Sequence, residues 1–273
     1  MNREGGMDKK IDSRQVKVGG LDIHYLSGGQ GEPLIVIHGG GGNGARAWMK
    51  NIEALAENYT VYVPDLPGFG YSQPMAGDYY IPELVQFVEE FSRSLGLKSF
   101  YLMGHSLGGG VALEYALKFP YKVSKLVLVN SLCLGREIAL WVRFLSNCVV
   151  SQSMGKAVLA MLKAVKWVVD KLFATVEFVI PLSRFSFSVG RKVTTLREQS
   201  TVFVNRLSEI MVPTLVVWGA KDPILPVEQA YAAAELIPDC RVKVFEDSGH
   251  SVYRDKLAEF SLLLIAFLGS KPL

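Results

Sequence analysis

One serine of this sequence stands between glycines at a spacing that suits a catalytic nucleophile. Gly104, Ser106 and Gly108 form a G-x-S-x-G pattern directly after an apolar run, Ser99–Met103, and directly before a helical one. A sharp strand-to-helix turn of this kind holds the serine in a strained conformation, and the glycines let neighbouring backbone pass closely. The serine then projects at a helix N-terminus, where the dipole favours developing negative charge. The pattern predicts Ser106 as the nucleophile of a hydrolytic reaction.

A serine hydroxyl is a weak nucleophile until a base accepts its proton, and histidine is the usual base. The sequence has four histidines. Three are poorly placed, because His24 falls in an N-terminal hairpin, His38 ends a strand, and His105 points away from its serine neighbour. His250 follows the last predicted strand and precedes the last predicted helix, where a loop can return over the strand ends. We therefore predict His250 as the base.

The other imidazole nitrogen must be held by a carboxylate. Asp222 follows an apolar strand, Thr214–Trp218, which puts it on the same rim of loops as the serine and the histidine. Asp247 is too close to His250 in the chain to orient it, and the preceding strand leads into Asn130 rather than an acid. We therefore predict Asp222 as the acid.

Acyl transfer also needs backbone N–H groups directed at the oxygen that becomes negative. Four consecutive glycines, residues 39–42, follow the apolar strand Leu34–Ile37. They allow the backbone to bend toward a substrate with no Cβ in the way. We expect the N–H of Leu107 and that of Gly40, or of Gly41, to form this oxyanion hole.

The same glycines also fit a nucleotide-binding pattern. Gly39, Gly41 and Gly44 match the G-x-G-x-x-G fingerprint. Asp65 ends the next strand, where an acid could bind a ribose. However, Asp65 runs directly into a tight Leu-Pro-Gly loop, and this interpretation leaves Ser106 unexplained. The sequence therefore favours a reaction that uses neither a cofactor nor a metal ion.

The elements that must position these residues alternate along the chain. Two short runs joined by Gly19–Gly20 predict a β-hairpin. Six further apolar runs alternate with helical patterns, which predicts an eight-stranded, mostly parallel sheet flanked by helices. The predicted strands are Gln15–Val18, Leu21–Leu26, Leu34–Ile37, Tyr59–Val63, Ser99–Met103, Lys125–Val129, Thr214–Trp218 and Arg241–Phe245.

The alternation stops between residues 133 and 206. Apolar residues recur there at helical spacing, which predicts a helical lid inserted into a core of residues 1–132 and 207–273. From Cys133 to Val212, eleven Lys and Arg stand against five Asp and Glu. A basic, apolar lid would suit an apolar substrate with a carboxylate, or peripheral contact with an anionic membrane surface. A solvated helical face would account for the same charge.

Composition excludes several other classes of protein. The 273 residues, 49% hydrophobic and 20% charged, suit one large domain with a sizeable core. A net charge of +3 is too small to indicate a nucleic-acid partner. The three cysteines form no C-x-x-C pair, residues 1–12 lack an apolar signal, and no uncharged apolar run is long enough to span a membrane. We expect a cytoplasmic protein that acts on a small molecule, with its oligomeric state left open.

The sequence resembles the α/β-hydrolase superfamily over nearly its whole length. This resemblance implies an α/β-hydrolase fold with a triad of Ser106, Asp222 and His250. It also implies that Gly40 and Leu107 supply the oxyanion hole. The motifs that carry it are HGGGGNGARAW from His38, DLPGFGYS from Asp65, GHSLGG from Gly104, PTLVVWGAKDPILP from Pro213 and DSGHS from Asp247.

Within the superfamily, the stretch His38–Ser72 most resembles the meta-cleavage-product carbon–carbon hydrolases. Those enzymes tend to carry Asn before the serine and Trp after the histidine, whereas this chain has His105 and Ser251. We therefore expect a carboxylic ester hydrolase. The alternatives are a carbon–carbon hydrolase of that type, or a ligand receptor or acyl transferase that retains the triad.

Overall fold

The computed structural model describes residues 11–40, 43–77, 79–143, 194–195 and 197–270. The strands are β1 Asp12–Val18, β2 Leu21–Gly28, β3 Glu32–Ile37, β4 Tyr59–Pro64, β5 Phe100–His105, β6 Val123–Val129, β7 Thr214–Gly219 and β8 Cys240–Phe245. They form one eight-stranded sheet of order β1-β2-β4-β3-β5-β6-β7-β8. Strands β3 to β8 run parallel, and β2 is antiparallel to both β1 and β4. The predicted mostly parallel sheet is confirmed.

Helices cover the sheet on both faces. Their bounds are α1 Met49–Leu55, α2 Ile81–Ser94, α3 Leu107–Lys118, α4 Glu228–Leu236, α5 Val252–Asp255 and α6 Leu257–Gly269. In β3, Ile35 and Ile37 join the apolar core beneath α2, α3 and α4. Leu34 and Val36 join the opposite core beneath α1, α5 and α6. A strand buried on both faces explains why its sequence is continuously apolar.

The chain reverses direction across the sheet at β3. Strand β4 pairs with one side of β3, and β5 pairs with the other. In open α/β sheets such a reversal leaves a crevice at the carboxyl ends of the strands, where ligands bind. His38 and Ser106 directly follow the two strands that flank this crevice. The glycine run, residues 39–42, follows His38. The topology therefore brings the start of that run and the predicted nucleophile to one place.

The segment between β3 and β4, whose sequence predicts one helix over Ala45–Asn58, forms two elements. A 3₁₀ turn, Gly44–Trp48, comes first and α1 follows it. The turn starts where the carboxylate of Asp65 accepts the Ala45 N–H at 2.6 Å. Gly44 has a φ of +50°, and a Cβ there would overlap that carboxylate. Asp65, which is distant along the chain, therefore determines where this helical segment begins. Local periodicity of the sequence could not indicate that contact.

A lysine is buried in the middle of the sheet. Lys125 of β6 is 3% exposed, and its ammonium group donates to backbone oxygens of Phe267, Leu268 and Ser270. These carbonyls end α6, where the last groups of a helix lack intrahelical donors and the dipole favours a cation. Lys125 therefore caps the final helix from within the sheet.

Replacing Lys125 with Met should lower the free energy of unfolding by about 2–3 kcal/mol, because buried carbonyls lose a charged donor. Urea denaturation at neutral pH measures the change. The exposed Lys98 provides a matched control, and Lys98→Met should stay within about 0.5 kcal/mol. Equal effects of the two substitutions would contradict the capping role.

Most of the predicted lid, residues 133–206, lies outside the described residues. Both of its ends are described, and they are joined by hydrogen bonds. The Cys133 N–H donates to Gln199 Oε1 at 2.8 Å, and the Phe203 N–H donates to the Cys133 carbonyl at 3.0 Å. The Gln199 N–H donates to the Arg136 carbonyl at 2.9 Å. We call this junction the lid base.

Candidate active site

Ser106 occupies a strained turn between β5 and α3. Its φ and ψ are 54° and −116°, in a region that side-chain-bearing residues rarely adopt. A Cβ on Gly104 would overlap the carbonyl oxygen of Gly108, and a Cβ on Gly108 would overlap that of Ile37. Both glycines are therefore required by close backbone contact, as the sequence pattern predicts. Such strain is held by surrounding structure and is typical of functional sites.

The structure joins Asp222 directly to His250. Asp222 Oδ2 accepts from His250 Nδ1 at 2.7 Å and from Asn130 Nδ2 at 2.6 Å. Its Oδ1 accepts the N–H groups of Ile224 and Leu225 at 2.8 and 3.2 Å. The carboxylate is 0% exposed. Burial raises the pKa of Asp222, but the hydrogen bonds outweigh it and hold the pKa below its usual value, so the acid is anionic.

This pairing fixes the tautomer of His250. A carboxylate can only accept, so the Nδ1 of His250 carries a proton toward Asp222. In the neutral imidazole Nε2 then has the free lone pair, which is the form that a general base needs. The strained turn at Gly104–Gly108 is called the elbow. The loop of His250 is tied to it, since the His250 carbonyl accepts from His105 Nε2 at 2.8 Å. His105 precedes Ser106, so the predicted base and nucleophile lie on adjoining segments.

Aromatic rings surround His105, and the sequence does not indicate two of them, Trp48 and Tyr253. The Tyr253 ring stands edge-on to His105 at 5.0 Å and stacks on Trp48 at 4.0 Å. The His250 ring is 4.8 Å from that of His105. These contacts hold together the elbow, α5 and the 3₁₀ turn Gly44–Trp48. The sequence signals were weak, because Trp48 and Tyr253 are far apart along the chain.

Both ring nitrogens of His38 are engaged in hydrogen bonds to the backbone of Gly39 and Leu66. Its Nδ1 donates to the Gly39 carbonyl at 2.7 Å, and its Nε2 accepts the Leu66 N–H at 2.9 Å. Burial lowers its pKa. Burial also lowers the pKa of His105, to about 3, with help from the nearby His250. His38 and His105 are therefore neutral structural histidines, which leaves the Asp222-bound His250 as the candidate base at this crevice.

These lowered pKa values predict acid sensitivity. Both histidines bind protons less readily in the folded state than in the unfolded chain, where the pKa is about 6.5. Their contribution to stability is therefore complete above that value and is lost as the pH falls toward about 3 for His105. The free energy of unfolding should fall as the pH drops below about 6.5.

The variant His105→Gln should reduce that slope by about 1.4 kcal/mol per pH unit, because one linked proton is removed. Urea titrations between neutral and mildly acidic pH measure the slope. The glutamine can still donate toward the His250 carbonyl, so the comparison isolates the ionisation. An unchanged slope would show that His105 is not the group that protonates on unfolding.

Gly39 lies against the elbow. A Cβ on Gly39 would come within 2.8 Å of His105 Nδ1 and 3.1 Å of the Ser106 Cβ. A Cβ on Gly40 would meet nothing within 4 Å, so open space adjoins that residue. Leu107 is the first residue of α3, where backbone N–H groups have no intrahelical acceptor. These positions suit the predicted oxyanion hole, and Gly41 lies outside the described residues.

Two acids considered from the sequence have other partners. Asp65 is buried, and it accepts from the Ala45 N–H, the Tyr71 N–H and the ring of His24. Its buried carboxylate is bound within the protein and is not presented to a ribose, which weakens the nucleotide-binding interpretation. Asp247 is exposed and pairs with Lys256 at 2.6 Å, away from His250. Across the described ranges, no three His, Cys, Asp or Glu side chains lie close enough together to hold a metal ion.

Comparison with known proteins shows the family of this chain. A family model described as alpha/beta hydrolase fold matches residues 32–178 and 173–257. The chain belongs to this family. The resemblance to α/β-hydrolases that the motifs indicate is thereby confirmed, and with it the fold. In the described part of this α/β-hydrolase, no helix is long and apolar enough to cross a membrane.

Curated relatives of this α/β-hydrolase carry different activities in their names. The dihydrolipoyllysine-residue acetyltransferase component of the acetoin cleaving system of Cupriavidus necator is 33% identical, over 92% of this chain and 68% of that protein. The 2-hydroxy-6-oxo-6-(2'-aminophenyl)hexa-2,4-dienoic acid hydrolase of Metapseudomonas resinovorans is 29% identical, over 99% and 97%. Lipase 1 of Psychrobacter immobilis is 31% identical, over 89% and 79%.

Proposed function

We propose that this α/β-hydrolase is a serine hydrolase that cleaves carboxylic esters through an acyl-enzyme. Ser106 is the nucleophile, His250 the base and Asp222 the acid that orients it. The observation that carries the proposal is the 2.7 Å hydrogen bond from His250 Nδ1 to the buried Asp222, beside a serine in a strained elbow. The pairing supplies the neutral imidazole tautomer that serine activation requires.

The reaction follows from these positions. As Ser106 Oγ attacks the ester carbonyl carbon, its proton moves to Nε2 of His250. The oxygen that becomes negative is bound by the N–H groups of Leu107 and Gly40, which need no reorganisation in the transition state. The C–O bond then breaks, and the leaving alkoxide takes the proton from His250. Water, activated by the same imidazole, releases the acid and restores Ser106.

Turnover of p-nitrophenyl esters tests the proposal. We expect hydrolysis across a chain-length panel, with the best kcat/KM on an apolar acyl group, and full activity in the presence of EDTA. A purified, folded protein that binds these esters but releases no nitrophenolate would instead indicate a receptor that retains the triad. Product that appears only when an alcohol or thiol acceptor is added would indicate an acyl transferase.

A carbon–carbon hydrolase is the second candidate. It is favoured by the Metapseudomonas resinovorans relative, which aligns over 99% of this chain and 97% of its own length. Against it stand His105 and Ser251, which differ from the residues expected next to the serine and histidine in that group. A direct competition between an aryl ester and a 2-hydroxy-6-oxohexa-2,4-dienoate decides between them. Preferential consumption of the dienoate would overturn the ester assignment.

The basic segment from Cys133 to Val212 suggests an anionic substrate group. We expect the double change of Arg191 and Arg197 to Gln to raise KM for an anionic ester about tenfold or more, because a charge-assisted hydrogen bond is worth about 1.5–3 kcal/mol. Hydrolysis of a neutral ester should stay nearly unchanged. Arg197 is exposed, and Arg191 lies outside the described residues.

Arg206 supplies the matched control for this experiment. Its guanidinium is paired with Glu209 at 2.8 Å, so its charge is already compensated. Arg206→Gln should therefore leave KM for both esters unchanged. If the Arg191 and Arg197 changes also have no effect on the anionic ester, the basic segment is a solvated face.

A further inference from the structure

A second Ser–His–Asp arrangement lies in the N-terminal hairpin, separate from the Asp222–His250 pair. Ser13 Oγ is 2.8 Å from His24 Nε2, and His24 Nδ1 is 2.7 Å from Asp65 Oδ2. The imidazole and the carboxylate are buried, with side chains 6% and 3% exposed, whereas Ser13 is exposed on the edge strand β1. We call these three residues the hairpin array.

The hydrogen bonds of the hairpin array have a defined direction. The Asp65 carboxylate can only accept, and it is held in place by the N–H groups of Ala45 and Tyr71. Nδ1 of His24 therefore donates to Asp65. In the neutral imidazole, Nε2 then accepts the proton of the Ser13 hydroxyl. The array thus places an oriented imidazole against a solvent-accessible serine. Serine, imidazole and carboxylate follow one another in the order that activates the nucleophile of a catalytic triad.

One exposed side chain, Tyr71, contacts the hairpin array, and a second, Arg46, contacts Tyr71. The Tyr71 ring stands edge-on to His24 at 5.2 Å and is 59% exposed. The Arg46 guanidinium lies over the Tyr71 ring at 5.6 Å. An aromatic acyl donor can pack against such an exposed ring. These neighbours suit small aryl esters better than long aliphatic ones.

We propose that Ser13 is a second acyl-accepting serine, which is modified by small activated acyl donors such as aryl esters. Ser13 Oγ attacks the carbonyl carbon while His24 Nε2 takes its proton. The bond from the acyl carbon to the aryl oxygen breaks, and the aryloxide leaves with the proton from His24. The product is an ester on Ser13. It persists, because a serine alkoxide is a poorer leaving group than an aryloxide.

Ser13 should react more slowly than Ser106. It lies within an extended strand and not at the N-terminus of a helix, so the dipole and the backbone donors of the elbow are not available to it. One oxyanion donor is worth about 10²–10³-fold in rate. We therefore expect acylation of Ser13 to be slower than that of Ser106 by about this factor, and to be stoichiometric rather than catalytic.

The experiment treats the Ser106→Ala protein with p-nitrophenyl acetate and follows acetylation of each serine by peptide mass spectrometry. Removing Ser106 makes the outcome independent of the proposed esterase site. Ser94 is the internal control, since it is exposed but its hydroxyl donates to the Phe91 carbonyl and has no base. General-base assistance predicts that Ser13 reacts about 10²-fold faster than Ser94. Equal rates would overturn the proposal.

Two further measurements identify the base. In a folded His24→Gln variant, acetylation of Ser13 should fall to the level of Ser94. If that variant does not fold, the pH dependence in the Ser106→Ala protein decides the question. An imidazole-activated serine reacts faster as the ring loses its proton and then reaches a plateau, whereas an unassisted hydroxyl keeps rising with hydroxide. A rate that rises without a plateau would exclude His24 as the base.

Discussion

Replacing Ser106 with alanine should abolish ester turnover, with a fall in kcat on the order of 10⁶-fold. The covalent step cannot occur without the hydroxyl. The fold should be retained, because alanine accepts the backbone geometry of Ser106 no worse than serine does. Steady-state kinetics with a short p-nitrophenyl ester, together with circular dichroism, measure both quantities.

Ser131 provides the matched control for this substitution. It is fully buried close to the elbow, next to Gly109, and its hydroxyl donates to the Leu132 carbonyl. Ser131→Ala should change kcat only a few-fold, since this hydroxyl takes no part in the proposed chemistry. A Ser106→Ala protein that kept its turnover would mean that another group performs the reaction.

The change of Asp222 to Asn should lower kcat about 10⁴-fold while the protein remains folded. Both oxygens of the carboxylate accept hydrogen bonds, from His250 and Asn130 on one side and from two backbone N–H groups on the other. An amide nitrogen therefore meets donors in either orientation. Where it faces His250, the imidazole must move its proton to Nε2, and it can then no longer accept the proton of Ser106.

Asp247→Asn separates this effect from a general loss of negative charge. Asp247 lies in the same loop as His250, but it is exposed and bound to Lys256. Its replacement should leave kcat within a few-fold of the parent protein. If Asp247 were essential and Asp222 dispensable, Asp247 would be the acid that orients His250.

The candidate triad stays a prediction, of which the structure shows the hydrogen bond between His250 and Asp222. The strands follow the sequence prediction closely, because strands depend on local apolar patterns. The bounds of β5 illustrate the limit. Ser99–Met103 was predicted from apolar residues, yet the strand is Phe100–His105, since Gly104 and His105 pair with Leu128 and Val129 in the ladder. Hydrogen bonding between the strands therefore extends two residues beyond the last apolar residue of the sequence pattern.

Contacts between distant parts of the chain could not be predicted. Asn130 was considered only as a missing acid, and in the structure it donates to Asp222. Asp65 also fits the ribose position of the nucleotide-binding pattern that the sequence disfavours, and in the structure it binds the His24 ring and backbone of the 3₁₀ turn. Each of these roles is set by which loops meet above the sheet. Residue type and local periodicity carry no information about that.

The lid base has a consequence for the history of this chain and for its engineering. Cys133 and Gln199 are hydrogen-bonded to each other, although 65 residues separate them. Because the two ends of this segment are bound to each other, the residues between them can be lengthened, shortened or exchanged without displacing β6 or β7. Transplanting the segment of a relative between these two anchor points should therefore transfer substrate preference as a cassette. In the same way, sequence divergence of this segment alone, with the sheet and its helices unchanged, would let related chains acquire different substrates.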